Sequence, residues 1–199
     1  VGGLNLTLME PTVALALVAW LRRGLAQERL RIWPSALLAA QGLMLGVLLA
    51  ASLASEAPGP SLKETIKWIE LMVAFVLTLD LARDIRAARW LLLALVGAAA
   101  VEALFGVVQF VTGRGPAFFA IGPFMRAYGH FSQPNPFAGY LGTALPLALA
   151  LAWLMPGAAP RWARPAFLAL AAGVLLSLSR GAWLGQAVAC AALLALASP

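Results

Sequence analysis

The sequence predicts an all-α fold, a polytopic transmembrane helix bundle with about seven spans, as a single domain over residues 1–199. Three observations carry that prediction. Only 11% of the residues are charged and 62% are hydrophobic, whereas an average soluble domain carries about 25% charged residues, so polar material is too scarce to cover a water-facing surface. Apolar runs close to the roughly 20 residues that a spanning helix needs recur along almost the whole chain. Within them, as from Trp90 to Val101, polar residues do not alternate at period two. That removes the closed barrel, the other structure whose backbone is satisfied within lipid.

Seven segments follow in order. The first covers residues 4–21 and ends at Arg22 and Arg23; the second covers residues 33–53. A connector with Pro58, Gly59 and Pro60 leads to the third, residues 62–81, whose start places Lys63, Lys67 and Glu70 on one face. The fourth covers residues 88–111. The fifth covers residues 136–155, with Pro146 as an expected kink. The sixth, residues 163–178, and the seventh, residues 182–197, flank a turn at Ser179-Arg180-Gly181.

Charge orients this stack. Net charge is +6, and the basic residues sit in short connectors, which reads as topology signalling and not as a nucleic-acid footprint. Arg22, Arg23, Arg29, Arg31, Arg83, Arg86, Arg89, Arg161 and Arg164 fall on one side; Lys63, Lys67, Arg114, Arg126 and Arg180 fall singly on the other. The first group is expected in the cytoplasm, with Val1 outside. Cys190, alone in an apolar run, has no disulfide or metal partner, so it is expected to face lipid or to pack; no cofactor is expected. Val1-Gly2-Gly3 lacks an initiator Met and a basic leader, which reads as a missing natural N-terminus.

The longest connector, residues 112–135, is expected on the outer face. Connectors held on a rigid scaffold often carry function. Its Phe118, Phe119, Ile121, Phe124 and Met125 imply that it lies on, or dips into, the membrane interface. Several polar residues nearby require an explanation. Glu102 lies inside the fourth segment, where a charge costs about 2.5–3.5 kcal/mol on insertion scales. It shares a helical face with Gly106 and Gln109. The face either makes an interhelical hydrogen bond through a glycine-lined contact or lines a substrate cavity. Arg180, among Ser177, Ser179 and Gly181, either snorkels to headgroups or grips phosphate bidentately. Asn135 before Pro136 suits a helix cap, whose N-terminus is also an anion site. His130 reads as a base or as a structural loop residue.

Arg126-x-x-Gly129-x-Phe131-x-x-Pro134-Asn135-x-Phe137-Ala138-x-Tyr140-Leu141, followed by Ser179-Arg180-Gly181-Ala182-Trp183-Leu184, resembles the O-antigen ligase/polymerase family of bacterial envelope glycosyltransferases. Glu70, and Gln109 shortly before Thr112-Gly113, are also similar to that family. The resemblance runs from about Leu62 to the C-terminus; the first two segments agree only in hydropathy. It implies metal-independent transfer of a glycan from an undecaprenyl-pyrophosphate donor, at the outer face of the cytoplasmic membrane of a bacterium. The implied acceptors are lipid A core, a polysaccharide or a protein. Arg180 and Arg126 match positions that bind the donor pyrophosphate, and Asn135, Gln109, Glu102, Ser179 and Tyr140 are the implied substrate-binding residues. A large outer loop carrying a catalytic His is usual further along, and its absence before Pro199 reads as a fragment, inactive alone. His130 does not match that His. The competing readings are a membrane transporter or lipid flippase, with Glu102 and Pro146 on the pathway, and a non-catalytic membrane scaffold.

Overall fold

The computed structural model describes residues 9–26, 36–154 and 160–197. The expected segment starts at residues 4 and 33, together with Arg29, Arg31 and Met155, lie outside the described residues. The fold is all-α, with seven α-helices among the described residues. The chain divides into two compact units, Val1–Ala88 and Arg89–Pro199.

The first unit holds α1 (Met9–Ala26), α2 (Ala36–Leu53) and α3 (Pro58–Leu81). Helix α1 continues through Arg22 and Arg23 because arginine is a good helix former, whatever it signals about topology. Helix α3 likewise absorbs the expected connector: Pro58 and Pro60 occupy its first turn, where a missing N–H costs nothing. Two polar contacts join the helices. Trp20 Nε1 donates to Asp80 Oδ2 at 2.7 Å, giving that carboxylate at the C-terminal end of α3 a partner. The hydroxyls of Ser52 and Thr65 meet at 2.9 Å in the α2–α3 contact, where both residues are buried.

The second unit is built around α5 (Pro134–Leu149), packed among α4 (Ile85–Thr112), α6 (Ala163–Leu176) and α7 (Arg180–Ala197). Val96, Ala99 and Ala103 of α4, Phe137, Leu141, Leu145 and Ala148 of α5, and Ala166, Leu170 and Val174 of α6 form one buried cluster. Their three- and four-residue spacings are those of a single helical face. Small residues set the distances of approach. A Cβ on Gly173 would lie 2.6 Å from Leu141 Cδ1, one on Gly106 would strike the Phe137 ring, and one on Gly142 would strike Gln186. Pro146 lies inside α5, and four residues further on the helix passes into a π-helical turn, Ala150–Leu154.

The expectation of about seven spans is supported for four. Helices α2, α4, α7 and the α5–π segment Pro134–Leu154 are long and apolar enough to cross a membrane. Helix α6 has 14 residues, about 21 Å at 1.5 Å per residue against a hydrocarbon core of about 30 Å. Helix α1 carries Glu10, Arg22 and Arg23, and α3 carries Lys63, Glu64, Lys67, Glu70 and Asp80, so neither offers a sufficiently uncharged stretch.

Arg180 is also relocated. The turn is Ser177 to Ser179, and Arg180 is the first residue of α7. Ser177 Oγ donates to Val174 O at 2.6 Å and accepts from Ser179 N–H at 3.2 Å, which closes the turn. Leu178 pivots it at φ +52°, in the left-handed region that costs a residue with a side chain about 1–2 kcal/mol. Leu178→Ile keeps the volume but adds β-branching, which that region tolerates worst. It should lower stability by about 1 kcal/mol or more, read from thermal unfolding in detergent against the volume-matched Leu175→Ile. Equal effects at the two sites would show that the strain at Leu178 is immaterial.

Candidate functional site

The connector between α4 and α5 is a folded element. It turns at Gly113 (φ +65°), passes a short 3-10 turn at Ala117–Phe119, and forms a two-residue hairpin. The strands β1 (Ala120–Ile121) and β2 (Phe124–Met125) are joined through Gly122 at φ +60°. Phe124 stacks on Phe110 of α4 with ring centres 5.7 Å apart, and Phe119 packs on Tyr128 at 5.0 Å. These contacts hold the hairpin against the end of α4.

The chain then folds back along α4. Gln109 Oε1 accepts from the N–H of Tyr128 (3.2 Å) and of Gly129 (2.8 Å), while its Nε2 donates to Gly129 O at 2.7 Å. Two turns deeper, Glu102 Oε1 accepts from His130 N–H at 2.5 Å, and Oε2 lies 3.0 Å from His130 Nδ1. Glu102 precedes the last residue of α4, Thr112, by ten positions, so the connector descends about 15 Å along the helix. Gly129 permits this descent. Its φ is +57°, and a Cβ there would collide with Glu102 Oε1 and the Phe137 ring. Glu102, Gly106 and Gln109 share one face as expected, and all three serve the connector or α5. The interhelical hydrogen bond weighed for that face is not made: Gln109 and Glu102 bond to the connector, Gly106 packs on Phe137 of α5, and Glu102 also lines a cleft.

Below His130 lies an open cleft of about 370 Å³ lined by Ala98, Glu102, His130, Phe131 and Tyr140. Phe131 packs on Tyr140 at 5.4 Å and on Phe137 at 6.1 Å, and Phe105 meets the His130 ring edge-on at 4.5 Å. The Glu102 side chain is 17% exposed and that of His130 is 66% exposed. The carboxylate is therefore held inside and the imidazole is open to the cleft.

A second group gathers at the ends of α5 and α6. Arg126 Nε donates to Ser177 O at 2.7 Å and Nη2 donates to Asn135 Oδ1 at 2.8 Å. Ala127 N–H bonds to Leu176 O at 3.0 Å beside it. Desolvation lowers the pKa of Arg126 from the ordinary arginine value, yet a guanidinium remains charged at any physiological pH. Asn135 is not the cap that its place before Pro136 implies. Helix α5 starts two residues sooner, with Pro134 in its first turn and Gln133 as a cap without a side-chain bond. The Asn135 amide is thereby free to accept from Arg126. Ser179 lies in the α6–α7 turn and Arg180 is exposed.

The structure thus brings Arg126 and Asn135 together, and Glu102 and Tyr140 together. It assigns Gln109 to holding the connector. Glu70 lies on α3 in the first unit. Sequence reasoning missed His130 and Phe131 as lining residues, and Ser177 as the partner of Arg126. The available signal was Gly129 next to the only His in the sequence, together with a Glu inside the apolar stretch of α4. Among the described residues no group of three His, Cys, Asp or Glu side chains could hold a metal ion. No family model, curated protein or solved structure matches the chain. Fold and site therefore define a class only: an all-α protein with four helices long and apolar enough to cross a membrane, consistent with a membrane protein.

Proposed function

We propose that this protein is an O-antigen ligase-like glycosyltransferase in the cytoplasmic membrane of a bacterium, with its active end outside. It moves a glycan from an undecaprenyl-pyrophosphate donor to lipid A core, a polysaccharide or a protein, without metal or cofactor. The more charged helices α1 and α3 and the shorter α6 complete the seven crossings alongside their apolar neighbours. The observation that carries the reading is the meeting of Arg126 with the α6–α7 turn. Arg126 bonds to Ser177 O, and three residues of chain limit the Cα of Arg180 to about 11 Å from that of Ser177.

Two cations at one end of the second unit suit a pyrophosphate, Arg126 held by Ser177 and Asn135 and Arg180 exposed at the start of α7. Arg126 spends two of its donors on Ser177 and Asn135, and a guanidinium has five. Arg180 opens α7, where the helix dipole is positive and a cation is disfavoured by about 0.3–1 kcal/mol. An anion at that helix end reverses the penalty and gains from both charges. Negative charge grows on the leaving pyrophosphate in the transition state, and cations already in place stabilise it.

The test is transfer from purified lipid-linked glycan in proteoliposomes of the full-length protein. Transfer is expected to persist in excess chelator and to fall at least tenfold in Arg126→Ala, about 1.4 kcal/mol of transition-state stabilisation. A donor lipid that crosses the bilayer without any glycosidic transfer would favour the flippase reading, to which the Glu102 cleft would then belong.

A further inference from the structure

We infer that the cleft between α4 and α5 is a binding site for a neutral, hydroxylated ring, a sugar-class ligand whose hydroxyl is accepted by His130 Nε2. Four observations converge on it. First, a carboxylate oxygen can only accept, so the 3.0 Å contact from Glu102 Oε2 places the neutral imidazole's proton on Nδ1. Nε2 is left as a bare acceptor on a side chain that is largely exposed. Secondly, the backbone bond from His130 N–H to Glu102 Oε1 and the edge-on contact with Phe105 hold the ring in place. The acceptor is therefore pre-oriented. Thirdly, Tyr140 lines the same cleft, and among the described residues its hydroxyl makes no hydrogen bond. Fourthly, Phe131 and Tyr140 supply aromatic walls, the usual companions of a few placed polar groups in a ligand site.

Charge and size choose the ligand class. A bare acceptor and a free phenol match the donor and acceptor of neighbouring hydroxyls. An anion would meet the Glu102 carboxylate, and a cation would offer no acceptor to the Tyr140 hydroxyl. A hydrocarbon would leave both groups unpaired. The volume of about 370 Å³ lies at the low end of the roughly 300–1,000 Å³ typical of ligand pockets, which fits one sugar ring better than an oligosaccharide. On the glycosyltransferase reading, on which only this last step rests, the ring is that of the acceptor. Glu102 is then a positioning residue that acts through His130.

The 199-residue chain has one histidine, so a ¹⁵N-histidine spectrum of that chain in lipid nanodiscs reports this site alone. At mildly alkaline pH the Nδ1–H tautomer is expected. Octyl glucoside should shift the Nε2 signal saturably, whereas octanol and octyltrimethylammonium should not. Tyr140→Phe should weaken that response about tenfold, the equivalent of one hydrogen bond. Glu102→Gln retains an acceptor for His130 N–H but presents an amide donor to Nδ1. It should move the proton to Nε2 and abolish the glucoside response while leaving the protein folded. The inference falls if wild type shows the Nε2–H tautomer, if no glucoside response saturates, or if octanol or the ammonium matches it. Transfer measurements on Arg126 and Arg180 test the donor reading separately, so a silent cleft with arginine-dependent transfer overturns this site alone.

Discussion

Gly129→Ala is expected to lower stability by about 3 kcal/mol or more. Two costs combine. An alanine at φ +57° takes on the left-handed penalty of about 1–2 kcal/mol. Its methyl would also collide with Glu102 Oε1 and approach Phe137 Cε2 at 2.8 Å, an overpacking that costs about 1–3 kcal/mol. Neither neighbour can yield cheaply. Phe137 is fully buried among α4 and α6, and Glu102 would have to release His130. Gly113→Ala separates the terms: φ is +65°, but nothing lies within 4 Å of its Cβ position. It should cost only the backbone part, about 1–2 kcal/mol. Reversible unfolding in mixed detergent micelles measures both, with the His130 tautomer as a local readout. Equal losses at the two glycines would mean that the fold-back along α4 is not tightly packed.

Arg180→Ala should reduce glycan transfer by about a hundredfold, or about 3 kcal/mol of transition-state stabilisation. The residue is exposed at the start of α7 and makes no contact that its loss would disturb among the described residues. Its removal even relieves the clash with the helix dipole. Stability is therefore expected to hold while turnover falls, a combination that separates function from folding. Arg180→Lys retains charge but loses the planar fork, so it should fall nearer alanine than wild type. The rate is taken in proteoliposomes with purified lipid-linked donor and normalised to folded protein. Near wild-type turnover in Arg180→Ala would reduce the residue to an anchor at the headgroups and move the donor site elsewhere.

Much of this was legible in composition and spacing. Helices were readable because apolar residues without period-two alternation leave no other structure, and the common face of Glu102, Gly106 and Gln109 followed from helical spacing alone. The number of crossing helices was less legible. Hydropathy windows reward any apolar stretch, whereas α6 is short and α1 and α3 bring charges onto their faces. End points moved for local reasons: prolines 58 and 134 start helices instead of separating them. That moved Asn135 off the cap and onto Arg126.

What the sequence by itself determined is the helical, apolar character of the chain, because backbone satisfaction and side-chain periodicity are local properties. What only the tertiary structure decided is which polar groups meet. His130 faces Glu102 across 28 positions and Arg126 reaches Ser177 across 51, distances in sequence over which no periodicity carries information. Gly129 turns the connector down along α4, and that single left-handed step converts a loop histidine into the oriented edge of a cleft.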